Sequence, residues 1–336
     1  MKVDGGIPGE LSKAAETARR LEAQGYDGGW SAETNHDPFF PLVLAAEHTQ
    51  RLELGTGIAV AFARSPMTVA NVGWDLQAFS GGRFRLGLGS QIKAHIEKRF
   101  SMPWSHPAPR MREFVLALRA IWTAWEQGTP LKFEGDFYTH KLMTPFFVPE
   151  AHPHGPPKVF LAAVGEGMTE VCGEVADGLL VHAFTTERYL REKTMPAIER
   201  GLARAGRTRA GFELSCPVFV VTGSSEAQVT AAATRTREQI AFYASTPAYK
   251  PVLDAHGWGD LQPELNALSK RGEWVEMGRR IDDEMLETFA VVDEPDKVPA
   301  RILERYGDVL DRVSFYARYE LSDEELSRIL AGFHTA

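Results

Sequence analysis

The stretch Lys2-Val3-Asp4-Gly5-Gly6-Ile7-Pro8-Gly9-Glu10 opens the chain as a short strand pattern followed by a glycine-rich turn. A helix pattern follows from Glu10 to Gln24, in which Leu11, Ala14, Ala15, Ala18 and Leu21 share one face and Gly25 supplies the stop. A strand pattern at 28–33 completes a strand, helix, strand unit. The turn separates the two folds that such a unit can build. A dinucleotide-binding doubly wound sheet needs G-x-G-x-x-G there to bring backbone against pyrophosphate, and Gly5-Gly6-Ile7-Pro8-Gly9-Glu10 lacks that spacing. Gly87-Leu88-Gly89-Ser90-Gln91-Ile92 and Gly165-Glu166-Gly167-Met168-Thr169-Glu170 each lack the third glycine.

The same alternation runs to the other end of the chain. Strand patterns fall at 2–7, 28–33, 52–60, 84–89, 158–164, 178–183, 213–221 and 312–317, with helical patterns between them. Strict alternation demands parallel strands joined by right-handed crossovers, and eight units are what closes a (β/α)8 barrel of the TIM type. The expected organisation is therefore one α/β barrel domain over residues 1–336. Two stretches exceed the unit and read as insertions: 128–157, with a hairpin-like pair of aromatic runs, and 246–294, with additional helices.

Composition narrows the function. Of 336 residues, 37 are Lys or Arg and 45 Asp or Glu, a net charge of −8 with no basic cluster, so nucleic acid is not expected as a partner. No stretch reaches the roughly 18 uncharged apolar residues of a membrane span, and no leader pattern opens the chain; a cytoplasmic protein is expected. Cys172 and Cys216 belong to no zinc spacing and read as buried thiols.

In a barrel the reacting groups sit at the C-terminal strand ends, and here those ends are rich in small residues and poor in carboxylates. Paired acids, a metal cage and a Ser/His/Asp set are all absent from them. Small residues there let a flat aromatic ligand lie against backbone. Glu33 is the one acid at a strand end, near His36 and Asp37, and reads either as a ligand contact or as a helix-end acid. His182 ends an apolar strand, and His95, Trp104 and His106 lie in the loop after the fourth strand. Glu33, Gly57, Gly89, Ala163 and His182 are expected around one mouth of the barrel.

Several segments resemble the luciferase-like flavin/deazaflavin oxidoreductase superfamily: Leu54-Gly55-Thr56-Gly57-Ile58, Arg64-Ser65-Pro66, the run from Asp75 through Ser80-Gly81-Gly82-Arg83 to Gly89, and Glu174-Val175-Ala176-Asp177-Gly178. Within it, Glu33 to Phe40, Gln91 to His95 and Met143 to Phe147 look most like an actinobacterial class assigned to coenzyme F420. The resemblance implies a deazaflavin at the C-terminal mouth, its ring against a third-strand bulge with a cis peptide at Gly57-Ile58. Its tail would run over Gly89, Ser90 and Gln91 and over Ala163, Val164 and Gly165. On this reading Glu33 and His36 are catalytic. Glu33, Gly57, Ile58, Ala59, the two tail segments and His182 hold the cofactor, while Thr34, Phe62, His95 and Trp104 face a small-molecule substrate. No metal is expected, and the expected assembly is a homodimer. Where better-studied members carry Asp-His this chain has Glu33-Thr34, and Gln91-Ile92 stands near a missing acid, so their sugar-phosphate and secondary-alcohol activities do not carry over. The alternatives are an FMN-dependent monooxygenase of the same fold using oxygen, and a barrel that binds the coenzyme without turnover.

Overall fold

The structure, a computed structural model, describes residues 1–334. Its strands are β1 (Lys2–Gly6), β2 (Gly28–Ser31), β3 (Glu53–Thr56), β4 (Ala59–Val60), β5 (Phe84–Gly89), β6 (Phe133–Glu134), β7 (Thr139–His140), β8 (Lys158–Ala163), β9 (Gly178–Val181), β10 (Glu213–Val221), β11 (Ala290–Val292) and β12 (Arg312–Tyr316). Ten of them form one sheet in the order β11-β10-β12-β1-β2-β3-β5-β8-β9, with β4 beside β5, and β9 also pairs β10. The eight main strands thus close into the (β/α)8 barrel expected from the alternation, β3 and β4 being one interrupted strand.

The helices in chain order are α1 (Leu11–Gln24), α2 (Phe40–His48), α3 (Pro66–Phe79), α4 (Lys93–Lys98), α5 (Pro107–Gln127), α6 (Glu166–Val175), α7 (Glu187–Tyr189), α8 (Met195–Arg204) and α9 (Glu226–Ala244). They continue with α10 (Lys250–Asp254), α11 (Leu261–Arg271), α12 (Trp274–Arg279), α13 (Asp283–Phe289), α14 (Val298–Tyr306) and α15 (Asp323–His334). Local chemistry sets their ends: Gly25 leaves α1 at φ 88°, and the Ser65 hydroxyl accepts the Thr68 N–H at the start of α3, with Pro66 in its first turn.

The chain packs as two compact units. The first comprises Gly5–Leu180 and Ala197–Glu213. In it the Trp30 indole lies against β3, where a Cβ on Gly55 would fall 2.4 Å from a ring carbon, and the ring meets Phe160 edge-on at 5.7 Å. The 128–157 stretch forms the expected hairpin, β6 pairing β7 antiparallel. Its turn is held by the buried Glu113 carboxylate of α5, which accepts the N–H groups of Asp136, Phe137 and Tyr138 at 2.9, 2.8 and 2.5 Å.

The second unit comprises Met1–Asp4, Val181–Pro196 and the chain from Leu214 onward. Here Asp4 of β1 and Arg312 of β12 form a fully buried bidentate pair at 2.8 and 2.6 Å. The stretch 246–294 holds α10, α11, α12, α13 and the short strand β11. Helices α9 to α13 enclose an apolar core of Ile240, Leu253, Leu265, Met277 and Phe289, and β11 returns in parallel beside β10.

The approach of β3 to β5 gives the first prediction. A Cβ on Gly87 would lie 1.8 Å from the Thr56 carbonyl oxygen and 2.8 Å from Leu180 Cδ1. Gly87→Ala should therefore cost at least about 3 kcal/mol in urea denaturation, or give insoluble protein. A variant within about 1 kcal/mol of the parent would contradict this approach.

Candidate active site

The third strand breaks between Thr56 and Ala59, and the freed backbone groups are satisfied one by one. The Thr56 hydroxyl donates to the Gly87 carbonyl at 2.7 Å and accepts the Gly87 N–H at 2.9 Å, standing in for two ladder bonds. The Gly57 N–H donates to the Ser31 carbonyl at 2.8 Å, and the Glu33 N–H donates to the Ile58 carbonyl at 3.1 Å. The Gly57–Ile58 peptide is cis, as the resemblance implied.

Glu33 also holds the far side of the interruption. Its carboxylate, 7% exposed, accepts the Val60 N–H at 2.7 Å and Arg64 Nη1 at 2.6 Å. Arg64 in turn donates to the Val60 carbonyl at 3.1 Å and to Asp37 at 2.8 Å, with its guanidinium 5.5 Å from the Phe39 ring centre. Glu33 is thus neither a free acid nor a helix-end acid. It ties the loop after β2 to the interrupted strand through Arg64, a residue that the sequence singles out only as part of the Arg64-Ser65-Pro66 segment.

The remaining candidates of this unit divide by exposure. Gly57 is exposed and Ile58 half-buried, with the Ile58 side chain packed where a Cβ on Gly89 would come within 2.9 Å. Val164 and Gly165 are exposed at the start of α6, and a Cβ on Gly165 would meet nothing within 4 Å. Ser90 donates to the Gln91 carbonyl at 3.1 Å, and Gln91 stands at φ 60° with its side-chain oxygen accepting the Ile92 N–H at 3.0 Å. Ala163 is buried. The side chains of Ala59 and Phe62 are fully buried. The Arg110 guanidinium lies over the Phe62 ring at 4.5 Å, and the half-buried Trp104 meets that ring edge-on at 5.8 Å. Thr34 and His36 are exposed in the loop after β2: the Thr34 carbonyl accepts from Arg99, and His36 packs on Gly9. His95 is exposed on α4.

In the second unit, His182 follows β9 and sits in an aromatic cluster that the sequence did not disclose. Its Nδ1 accepts the Phe184 N–H at 3.1 Å, Nε2 lies 3.2 Å from Tyr249 Oη, and the imidazole stacks on Tyr249 at 4.6 Å. Tyr243 meets it edge-on at 4.7 Å and shares a 2.6 Å hydroxyl contact with Tyr316. Burial holds His182 down to about 4 and raises the phenols of Tyr243 and Tyr249. Among the described residues no group of His, Cys, Asp and Glu could hold a metal, and no helix is long and apolar enough to cross a membrane.

Comparison with known proteins agrees with this architecture. The profile of the luciferase-like monooxygenase family matches residues 2–312, and the chain belongs to that family of oxidoreductases. An uncharacterised protein of Mycobacterium tuberculosis is 64% identical over 313 residues, 93% of this chain and 92% of that protein. The 5,10-methylenetetrahydromethanopterin reductase of Archaeoglobus fulgidus is 27% identical over 319 residues, covering 93% and 86%. Among solved structures, the coenzyme F420-dependent tetrahydromethanopterin reductase of Methanopyrus kandleri superposes with a TM-score of 0.78 at 22% identity, covering 99% of this chain and 96% of that one.

Two measurements test the site's construction. Glu33→Ala strands the Val60 N–H and one guanidinium face, so it should lower unfolding free energy by about 2–3 kcal/mol. Unchanged stability, with only ligand affinity affected, would show that the carboxylate serves a ligand and not the strand. For His182, the native pKa near 4 lies below the roughly 6.5 of the unfolded chain. The unfolded state therefore takes up the proton first, and the contribution present above pH 6.5 is lost as pH falls toward 4, by about 3 kcal/mol at most. His182→Gln should lose less stability than the parent between pH 7 and pH 5; equal losses would remove His182 as the responsible group.

Proposed function

We propose that this protein is a deazaflavin-dependent oxidoreductase acting on a small carbonyl-type or activated unsaturated substrate. The observation that carries the reading is the exposed backbone at Gly57-Ile58, fixed by Thr56, Ser31 and Glu33, so that a planar ring system meets a rigid polar edge with no side chain on Gly57 in the way. The open start of α6 at Val164-Gly165 suits the anionic part of such a ligand, because free N–H groups and the helix dipole favour negative charge there. The site thus fits coenzyme F420, which when bound supplies a hydride donor or acceptor at its carbon 5.

On this reading Gly57, Ile58 and the Ala59 backbone lie under the ring, and Gly89, Ser90, Gln91, Ala163, Val164 and Gly165 line the path of the tail. Glu33 is a positioning residue for that edge. The exposed Thr34, His36 and His95 and the half-buried Trp104 are the groups of this unit available to a substrate. The reductases among the relatives and solved structures support F420. The family description favours one second reading, an FMN-dependent monooxygenase in which reduced flavin reacts with oxygen. A cytoplasmic homodimer is the setting that the reading expects.

Titration of each cofactor by fluorescence at low and high ionic strength separates the two. The deazaflavin tail carries additional carboxylates, and with Arg64 committed to Glu33 and Asp37 they must meet backbone N–H groups and the exposed Lys93. F420 should bind more tightly than FMN and lose affinity more steeply with salt. Equal or tighter FMN binding without that salt dependence, together with oxygen uptake by reduced FMN, would exchange the readings.

A further inference from the structure

Two arginines are buried among the described residues, and only one of them is neutralised. Arg312 has the carboxylate of Asp4. Arg110, 8% exposed at the start of α5, has no carboxylate within ion-pair distance among the described residues. Its partners are neutral: Nε donates to Tyr138 Oη at 2.9 Å and Nη1 to the Pro103 carbonyl at 2.7 Å. A guanidinium carries five N–H groups, so both on Nη2 and one on Nη1 are without an acceptor among the described residues. The acid one turn away, Glu113, is already committed to the N–H groups of Asp136, Phe137 and Tyr138. All of these residues belong to the first unit, which also holds the interrupted strand.

We propose that Arg110 recognises an oxyanion, a phosphate or carboxylate group carried by a ligand of the first unit. A buried cation without a counter-ion is among the costliest groups to keep in a folded chain, and a bound anion removes that cost. The planar fork of N–H donors matches two oxygens of a phosphate or carboxylate. Tyr138, Pro103 and the Phe62 ring 4.5 Å beneath fix the guanidinium before any ligand arrives, so little ordering is needed on binding. The N-terminus of α5 contributes less than most helix starts, because Pro107 and Pro109 have no N–H and the Arg110 N–H donates to the His106 carbonyl. Recognition therefore falls to the side chain. Phe62 lies two residues beyond Val60, whose N–H Glu33 holds, so Arg110 stands on the same construction as the candidate site. Arg64 and Lys93 differ from it in having carboxylate partners, Glu33 and Asp37 for the one and Glu97 for the other. The inference rests on the oxidoreductase reading only for the source of the anion, which is either the acidic tail of the deazaflavin or an acid group on the substrate.

Thermal unfolding of the unliganded protein decides the anion without cofactor or turnover. Phosphate and succinate at about 20 mM, each set against chloride at equal ionic strength, should raise the parent Tm by roughly 2–4 °C. Arg110→Met, which keeps an apolar stem over Phe62, should lose that rise, and Arg110→Gln should lose it too if the methionine variant is insoluble. Arg110→Lys should retain part of it, since the charge stays and the fork does not. No rise in the parent, or an equal rise in the parent and a neutral variant, would overturn the proposal. The source of the anion follows from fluorescence titration with F420 and with the deazaflavin that lacks the acidic tail. A loss of about 10- to 100-fold in Arg110→Met for F420 alone assigns the tail. Unchanged F420 affinity, with kcat/KM for keto acids falling by that factor relative to neutral ketones, assigns the substrate. A chain that binds no F420 overturns the cofactor reading alone, and the unfolding result still decides the oxyanion.

Discussion

A single hydroxyl, that of Thr56, sets the geometry on which the candidate site depends. A buried parallel strand cannot stop and restart without leaving N–H and C=O groups unpaired, at about 1–3 kcal/mol for each group left so. Thr56 Oγ1 is donor and acceptor at once, and it satisfies both backbone groups of Gly87 where the ladder would have done so. That exchange works only because Gly87 has no side chain to hold β5 away from the Thr56 carbonyl. Once the strand is released there, the carbonyl of Ser31 and the backbone and carboxylate of Glu33 collect the remaining groups.

The two units distribute charge differently. In the first, the functional loop is organised by ions: Glu33, Asp37 and Arg64 satisfy one another, Glu33 with little solvent contact and Asp37 at the solvent edge. In the second, the groups beside His182 are neutral, and burial keeps them so.

Much of the barrel was legible because its signals are periodic. Two strands, 84–89 and 213–221, coincide with β5 and β10 at both ends, while 28–33 and 178–183 run two residues past the true ends, into Ala32-Glu33 and His182-Ala183. The break in the third strand was invisible to hydropathy, since 52–60 reads as one run; only the resemblance at Gly57-Ile58 pointed to it. Glu33 stood out as an acid at a strand end, but its partners Val60 and Arg64 lie 27 and 31 residues onward, and no local pattern encodes that pairing. Tyr249 is 67 residues from His182, inside an insertion whose amphipathic helices look like ordinary barrel helices.

The buried pair of Asp4 and Arg312 links residues 308 positions apart, and this bears on how the chain is made. The first strand leaves the ribosome long before the strand that neutralises its carboxylate, so for most of synthesis β1 has one open edge and an unmatched charge. Closing so long a loop costs only slowly growing entropy, but it places the seam among the most non-local contacts in the protein and so among the late steps of assembly. The nascent barrel is thereby committed last at the point where its two ends meet.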